Sequence, residues 1–371
     1  MGDTAEDAGA APTGARLAAS TPAPGARRGR GATANPTGRY EPARRVAFDD
    51  GWSADDPAPL RTEVRPERSA RIIARNTSPD IPFDRSLNPY RGCEHGCIYC
   101  YARPTHAWLG LSPGLDFESR LFTKPDAARL LARELAAPGY RPAPIAIGTA
   151  TDPYQPIERT HRLTRAVLEV LAEARHPVSI TTKSDLILRD LDLLREMAAR
   201  DLVLVSVSLP TLDPALARRL DPRAPRPDRR LAAMRALAEA GVPVMVNLSP
   251  IIPGLTDHEI EGLLARARAH GASRIGHALL RLPGEVADLV ADWFDAHYPE
   301  KKARAFALLA GARGGRENDS RFGHRFRGEG AYAALLGERV RLAGRRLGFG
   351  FGRLALNTAD FRRPGGQLAL F

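Results

Sequence analysis

The sequence predicts an α/β fold built as a partial, TIM-like (β/α)6 barrel, with a helical C-terminal extension and disordered termini. Short, almost continuously apolar segments alternate with amphipathic helical segments, which is typical of a parallel sheet with helices on its outer face. About six such units fit between residues 85 and 285, and a closed eight-stranded barrel would need more of the 371-residue chain.

Short apolar segments bounded by turn residues are predicted as strands. They are residues 145–150, 178–182, 202–209, 242–252 and 273–282. In sheets of this kind functional residues collect at the carboxyl ends of the strands. The segments at those positions are 148–155, 182–185, 208–211 and 249–256.

The segments between these strands carry apolar residues at helical spacing and are predicted as helices. They are residues 160–174, 186–200, 229–241 and 256–271. In the last of them Thr256 is predicted as the N-cap, with Glu259 completing a capping box, and Gly271 ends the helix.

The remaining segments divide the chain into regions. Residues 1–65 are rich in Ala, Gly, Pro and Arg without any period, and are predicted to be a disordered basic tail because they can bury little apolar surface. The barrel core is assigned to residues 66–285. Residues 286–346 are predicted as a helical extension interrupted by a Gly-rich, charged stretch at 311–328, and residues 347–371 as an irregular tail.

The charge balance points to a polyanionic partner. The chain has 54 Lys and Arg against 43 Asp and Glu, a net charge of +11, which favours a nucleic-acid partner, with DNA preferred. A basic surface without that function is the alternative. Because no segment approaches ~18 consecutive apolar residues and the start lacks a signal-like pattern, we expect a cytoplasmic protein without membrane contact.

The cysteines are the most informative residues in the chain. All three lie in one loop, at Cys93, Cys97 and Cys100, which excludes a disulfide framework and favours a metal site. Three thiolates can each bind one iron of a [4Fe–4S] cluster, which leaves one iron open to an external ligand. Gly92 and Gly96 flank these ligands and let the loop wrap closely.

Two other metal sites remain open at this point. One is a structural zinc site completed by His95 or His106, although the second half-site typical of such zinc sites is missing from the sequence. The other is a structural cluster whose fourth ligand is a histidine or water.

The spacing Cys-x3-Cys-x2-Cys, with Tyr99 before the last cysteine, resembles the signature of the radical S-adenosylmethionine (radical SAM) superfamily. The resemblance implies a [4Fe–4S] cluster whose open iron binds the amine and carboxylate of S-adenosylmethionine. One electron, from a donor such as flavodoxin or ferredoxin, then cleaves the cofactor to a 5′-deoxyadenosyl radical that abstracts hydrogen from the substrate.

A narrower resemblance covers about residues 85–285. The motifs NPYRGC, CIYCYAR, TDPYQPIE and TTKS resemble the DNA-repair-photolyase-like proteins related to spore photoproduct lyase, which implies a lyase-like enzyme of DNA repair. The positions that it assigns to S-adenosylmethionine are Tyr99, Gly148, Thr149, Ala150, Thr151, Asp152, Lys183, Ser184, Ile252 and Gly254. Tyr99, Asp152 and Tyr154 are the candidate catalytic residues.

Several of these residues also have ordinary structural interpretations. Asp152 precedes a proline and can start a turn, Ser184 can cap the following helix, and Gly254 can permit a tight loop. The chain also departs from spore photoproduct lyase, which is thought to use a further cysteine as its hydrogen-atom donor. A tyrosine, either Tyr90, Tyr101 or Tyr154, is the alternative relay.

The last five residues carry a separate motif. Gln367, Leu368, Leu370 and Phe371 follow a Pro-Gly-Gly break and resemble the peptide with which bacterial repair and replication proteins bind the DNA sliding clamp. Leu370 and Phe371 would fill an apolar pocket on the clamp. The alternative is that this tail folds back onto the domain.

The sequence therefore favours a radical SAM enzyme that acts on nucleic acid. A second hypothesis keeps the chemistry but changes the substrate to tRNA, a peptide or a small metabolite. A third is a non-catalytic, clamp-tethered iron–sulfur adaptor or redox sensor.

Overall fold

Two sheets lie within the part of the chain that the computed structural model describes, residues 29–41, 60–352 and 354–365. The strands are β1 (Glu63–Pro66), β2 (Ile73–Arg75), β3 (Arg85–Leu87), β4 (Tyr90–Arg91), β5 (Arg120–Thr123), β6 (Ile145–Ile147), β7 (Val178–Thr182), β8 (Val203–Ser208), β9 (Val244–Ile251) and β10 (Arg274–Leu279). The small sheet has the order β1-β5-β4, and the main sheet has the order β10-β9-β8-β7-β6-β3-β2.

Helices follow most strands of the main sheet. They are α1 (Leu115–Ser119), α2 (Ala127–Ala136), α3 (Glu158–His161), α4 (Leu163–Glu173), α5 (Leu191–Ala198), α6 (Pro214–Leu220), α7 (Pro227–Glu239), α8 (Ile260–Ala269), α9 (Val286–His297), α10 (Pro299–Gly311) and α11 (Gly330–Arg346). Short 3-10 helices span Arg103–Leu109, Asp185–Asp190 and Asp257–Glu259. No helix within the described ranges is long and apolar enough to cross a membrane.

The main sheet confirms the predicted partial barrel. The strands β3 and β6 to β10 are parallel neighbours in chain order, and β2 adds to β3 in the antiparallel direction. Val178 of β7 lies opposite Val203 of β8, and Val205 of β8 lies opposite Val244 of β9. All four valines are buried, because helices cover the outer face and side chains fill the inner one.

The sheet does not close within the described residues, since β10 and β2 are its two edges. The loop between α10 and α11 lies beside β10, where the Leu279 amide donates to the Phe326 carbonyl at 2.8 Å. From that loop Arg325 forms two hydrogen bonds, of 2.8 and 2.5 Å, with Asp80 in the β2–β3 connection. This ion pair therefore links the two edges of the open sheet.

The predicted helix at 160–174 is divided in two. Arg162 takes a left-handed conformation, with φ of 51°, between α3 and α4. The buried carboxylate of Glu158 accepts from the Thr164 amide at 3.0 Å and so supplies the missing partner at the start of α4. The break is thus a capping arrangement that apolar spacing alone does not reveal.

The predicted capping box before α8 is wrong. The Thr256 hydroxyl accepts from the Ile252 amide at 2.9 Å, and the Glu259 carboxylate accepts from the Leu212 amide at 2.7 Å. Neither side chain caps its own helix, because both fix the loops at the ends of β8 and β9.

The prediction of disorder over residues 1–65 differs from the structure at residues 29–41, here called the N-terminal strap, and at β1. The carboxylate of Glu118 accepts from the amides of Gly31 and Ala32 at 3.0 and 2.9 Å, and Ala32 is fully buried. The strap is held by backbone groups that pair with one buried carboxylate, so composition could not predict it. Residues 1–28 and 42–59 lie outside the described ranges.

The helical C-terminal extension is confirmed as α9, α10 and α11. Trp293 of α9 is 1% exposed and donates its Nε1 to the Arg219 carbonyl at 3.0 Å. Arg339 of α11 forms two hydrogen bonds, of 2.8 and 2.6 Å, with Glu261 of α8. The extension therefore packs on the helices of the barrel.

The contact between the strap and the cysteine loop gives a testable prediction. In Gly31→Ala the new Cβ would lie 1.8 Å from the Gly96 carbonyl oxygen, so the strap or the loop must move. We expect the free energy of unfolding to fall by about 1–3 kcal/mol, measured by urea unfolding, and the strap to be cleaved faster in limited proteolysis.

The matched control is Gly139→Ala, where the new Cβ meets nothing within 4 Å and stability should change by less than about 0.5 kcal/mol. If Gly31→Ala unfolded with the wild-type free energy and its strap were cleaved at the wild-type rate, this would contradict the packing of the strap on the cysteine loop.

Candidate active site

A cavity of about 460 Å³ lies at the carboxyl ends of the parallel strands. The cysteine loop forms one wall, and the loop after β6 and the end of β7 form the next. The far wall comes from the ends of β8, β9 and β10, at Ser208, Asn247 and His277. The segments predicted to carry functional residues therefore meet at this edge of the sheet.

All three cysteines line this cavity as free thiols. Cys93 and Cys97 are buried and Cys100 is partly buried. Burial raises the pKa of Cys97 to about 12, although the positive charge of Lys183 opposes the rise. Thiols in such a site become thiolates when a metal displaces their protons.

The donor set fits a [4Fe–4S] cluster better than a mononuclear zinc ion. Among the described residues no group of three His, Cys, Asp or Glu side chains is arranged around one ion position. A cluster needs one thiolate at each of three irons, not three ligands on one ion. His106, one zinc candidate, lies with Nε2 2.9 Å from the Arg120 carbonyl, and His95, the other, faces Asp152 at 3.2 Å.

The cysteine loop owes its shape to glycines and to one buried arginine. Gly92 and Gly96 both have positive φ, of 71° and 69°. Arg103 is fully buried and donates to the carbonyls of Cys97 and Gly96 at 2.9 and 3.1 Å. Its charge is balanced by Glu118 at 2.5 Å, the same carboxylate that holds the strap.

Asp152 joins three parts of the site. Its carboxylate accepts from the Thr182 hydroxyl at 2.7 Å and from the Lys183 amide at 2.8 Å, and it lies 3.2 Å from His95. Burial by itself would raise the pKa of Asp152, but His95, Lys183 and the Thr182 hydroxyl hold that pKa at about 2. The residue is thus an ionised carboxylate that positions the loops around it.

The loop after β6 is joined to the cysteine loop by two residues that sequence reasoning did not single out. Asn88 donates to the Thr149 hydroxyl at 2.9 Å, and its amide oxygen accepts from the Ala150 amide at 3.0 Å. Gln155 donates to the Gly92 carbonyl at 3.2 Å. Both lie inside the motifs NPYRGC and TDPYQPIE, so the motifs were the available signal.

The cavity brings most of the predicted cofactor residues together. The predicted residues that line it are Tyr99, Gly148, Thr149, Ala150, Thr151, Asp152 and Lys183. The phenol of Tyr99 lies 3.3 Å from Asp221, and the Lys183 amine lies 5.7 Å from the Tyr99 ring. Burial is the main reason that the pKa of Tyr99 is well above its usual value.

Tyr154 and Ser184 do not line the cavity. Tyr154 is 1% exposed, and its ring packs beneath the guanidinium of Arg189 at 6.0 Å. Ser184 accepts from the Leu186 amide at 3.2 Å and caps the 3-10 helix that follows β7. The structure therefore confirms the interpretation of Ser184 as a helix cap.

Ile252 and Gly254 are also outside the cavity lining, whereas Pro250 belongs to it. Ile252 is 2% exposed within the core. Gly254 has φ of 68°, and a Cβ there would contact the Leu308 side chain of α10 at 3.9 Å. This loop reaches the cavity with its first residues and then turns into the core.

Further residues at the mouth of the cavity were not predicted as site residues. They are His277, Arg281, Phe326 and Arg327, and they lie beside the relay candidate Tyr101. Arg281 lies at the end of the last predicted strand, 273–282, and just after the observed β10, so the rule that functional residues collect at strand ends could have found it. Gln367, Leu368, Leu370 and Phe371 of the clamp-like peptide lie outside the described residues.

Comparison with known proteins agrees with this geometry. The family model of the radical SAM superfamily matches residues 87–267. An uncharacterized protein of Mycobacterium tuberculosis is 38% identical over 226 residues, which are 60% of this chain and 66% of that relative's length. The match thus spans just under two thirds of the relative.

Solved structures of spore photoproduct lyase share the fold. A cysteine-to-serine mutant has a TM-score of 0.55 and 17% identity, with 76% of this chain and 78% of that chain covered. A double mutant with bound AdoMet and dinucleoside spore photoproduct has a TM-score of 0.53 and 15% identity, with 76% and 78% covered.

The radical SAM superfamily uses a [4Fe–4S] cluster and S-adenosylmethionine as its cofactors. The three cysteines, the loop after β6 and the end of β7, which line the cavity together, all lie within the matched residues. Residues 87–267 of this chain therefore match the radical SAM family model at the part of the fold that carries the cysteine loop and the cavity.

Proposed function

We propose that this chain is a radical SAM enzyme that cleaves S-adenosylmethionine reductively and abstracts hydrogen from a nucleic acid, with repair of a DNA lesion as the most concrete form. The observation that carries the proposal is the shared cavity: the three cysteines, the loop after β6 and the end of β7 all line it. The bound cofactors would supply a 5′-deoxyadenosyl radical there.

The chain's own residues prepare that site. Cys93, Cys97 and Cys100 would each bind one iron of the cluster. Lys183 lies close enough to Cys97 for its charge to act on the thiol, and that charge favours the thiolate needed for metal binding. Gly148 has φ of 93°, and a Cβ there would lie 2.1 Å from the Thr181 carbonyl oxygen. Only glycine lets the loop after β6 approach β7 so closely.

A nucleic-acid substrate is supported by charge and by the structural comparison. The net charge of +11 favours a polyanion. Spore photoproduct lyase, which shares the fold, binds a dinucleoside spore photoproduct. Of the tyrosines considered as relays, Tyr101 lines the cavity and Tyr154 does not, so Tyr101 is the better candidate in a chain without a fourth cysteine.

Two partners complete the proposal. The peptide from Gln367 to Phe371 would tether the enzyme to a bacterial sliding clamp, which raises its local concentration at DNA. An electron donor such as flavodoxin or ferredoxin would supply the reducing electron. The proposed site of action is the cytoplasm.

The first prediction from the proposed function tests the reductive cleavage of S-adenosylmethionine. After anaerobic reconstitution and addition of S-adenosylmethionine and dithionite, we expect the wild-type protein to form 5′-deoxyadenosine, measured by chromatography. Cys97→Ala should reduce the product to background, because one iron loses its protein ligand. The surface variant Asp126→Asn, whose partner is the exposed Arg129 at 3.1 Å, is the control and should match the wild type.

A wild-type protein with its full complement of iron that forms no 5′-deoxyadenosine would contradict the enzyme and favour the adaptor or redox-sensor hypothesis. If the protein forms 5′-deoxyadenosine but binds tRNA, a peptide or a metabolite in place of DNA, the result would favour a radical SAM enzyme with that other substrate.

The second prediction concerns Asp152. In Asp152→Asn one acceptor oxygen is lost, so the contacts to Thr182 and Lys183 cannot both be kept in their present form. We expect the affinity for S-adenosylmethionine to fall about ten- to a hundredfold, measured by equilibrium dialysis with the reconstituted protein. Unchanged affinity with a lost turnover rate would instead give Asp152 a direct catalytic role.

The third prediction concerns the clamp. A micromolar peptide contact is worth roughly 8 kcal/mol, most of it from the two apolar anchors. Combined replacement of Gln367, Leu370 and Phe371 by Ala should abolish measurable binding to a bacterial sliding clamp in surface plasmon resonance. Arg362→Ala removes a positive charge from the same tail and should bind as the wild type does. Intact affinity in the triple variant would refute the tether.

A further inference from the structure

The mouth of the cavity carries two arginines and the ring of Phe326, to which the proposed cofactor chemistry gives no role, next to the relay candidate Tyr101. Arg281, Arg327, Tyr101 and Phe326, here called the arginine rim, all line the cavity. Arg281, Phe326 and Arg327 lie outside residues 87–267, the part matched by the radical SAM family model. Three of the four rim residues are therefore contributed by the C-terminal part of this chain.

The rim pairs planar cations with planar rings. The guanidinium carbon of Arg281 lies 4.9 Å from the centre of the Phe326 ring and 5.8 Å from that of Tyr101. The neighbouring Arg325 lies 4.9 Å from the Phe326 ring. These contacts fix the orientation of the Arg281 side chain without neutralising its charge.

The charges at the mouth do not cancel. Arg325 is neutralised by Asp80, at 2.5 Å, and deeper in the cavity Lys183 and Asp152 balance each other. In the part of the chain that the structure describes, Arg281 and Arg327 have no carboxylate partner, and the Nε of Arg281 is buried without a hydrogen-bond acceptor. A ligand that brings negative charge would satisfy both groups.

Burial and the charge of Arg325 lower the pKa of Arg281, and the charge of Arg327 contributes to a lowered pKa of His277 beside it. The charge of Asp80 opposes this shift at Arg281 only in part, because Asp80 is paired with Arg325. A guanidinium in this setting gains most from an oxyanion that it can bind through two parallel hydrogen bonds.

We propose that Arg281 and Arg327 bind a phosphate group of a nucleotide substrate, and that Tyr101 and Phe326 stack against its base. The inference rests on the proposed function, since it names the phosphate and the base as the parts of the nucleic acid that this site would bind. Phosphate supplies the missing negative charge, and a base supplies the planar face that exposed aromatic rings bind in single-stranded nucleic acids. Tyr101 is 51% exposed and so is available for stacking.

The test is equilibrium binding of a fluorescein-labelled oligothymidylate to the reconstituted full-length protein, followed by fluorescence anisotropy across a salt series. We expect Arg281→Ala and Arg327→Ala each to weaken binding about tenfold and to lower the salt slope by about one unit. The matched control is Arg235→Ala, which removes the same charge from the exposed face of α7, away from the cavity, and should leave the affinity within about twofold.

A second arm uses the wild-type protein and the same oligonucleotide with uncharged methylphosphonate linkages. We expect it to bind about a hundredfold more weakly than the phosphodiester, and Arg281→Ala should weaken it no further. Equal binding of the two oligonucleotides by the wild-type protein would overturn the proposal even if the variants failed to fold.

S-adenosylmethionine affinity of the same variants separates this inference from the proposed function. A loss in Arg281→Ala as large as the loss for the oligonucleotide would assign the guanidinium to the cofactor carboxylate and overturn the phosphate site. Absence of 5′-deoxyadenosine from the wild-type protein would refute the enzyme, whereas oligonucleotide binding that depends on Arg281 would still support the rim.

Discussion

The buried ion pair between Arg103 and Glu118 is the interaction on which the rest of the site depends. The arginine holds the carbonyls of Gly96 and Cys97, and the glutamate holds the amides of Gly31 and Ala32. Both side chains are fully buried, so removal of either would leave an uncompensated charge at a cost of about 3–5 kcal/mol. One pair therefore fixes the cysteine loop and the strap that covers it.

The parallel sheet supplies the second constraint, because it brings separate loops to one edge. Asp152, Asn88 and Gln155 then join those loops by hydrogen bonds to Thr182, Thr149 and Gly92. These side chains order polar backbone around the cavity, which in the proposed enzyme would hold a charged cofactor and exclude water. Hydrogen bonds join the loops at the cysteine end of the cavity, whereas Arg281, Phe326 and Arg327 at its mouth lie outside the residues matched by the radical SAM family model.

Much of the fold and the cysteine end of the cavity could be predicted from the sequence. Apolar segments predict the strands, and the spacing of the three cysteines predicts the loop. Tyr154 and Ser184 were assigned by proximity along the chain, which does not reveal which way a side chain points after a strand end. The strap was missed because its partner, Glu118, is far away in sequence. Arg281 was missed because a single arginine after a strand carries no motif.

The ion pair that crosses the open side of the sheet has a consequence for how the protein is made. Asp80 and Arg325 are separated by 245 positions, and Arg39 of the strap binds Glu285 across 246. On a translating ribosome the three cysteines emerge long before either arginine–carboxylate contact can form. The contacts of the strap with Glu118 can form soon after the cysteine loop is made, whereas these two ion pairs must wait for the C-terminal part of the chain, so the far edge of the cavity is the last part of the site to be fixed.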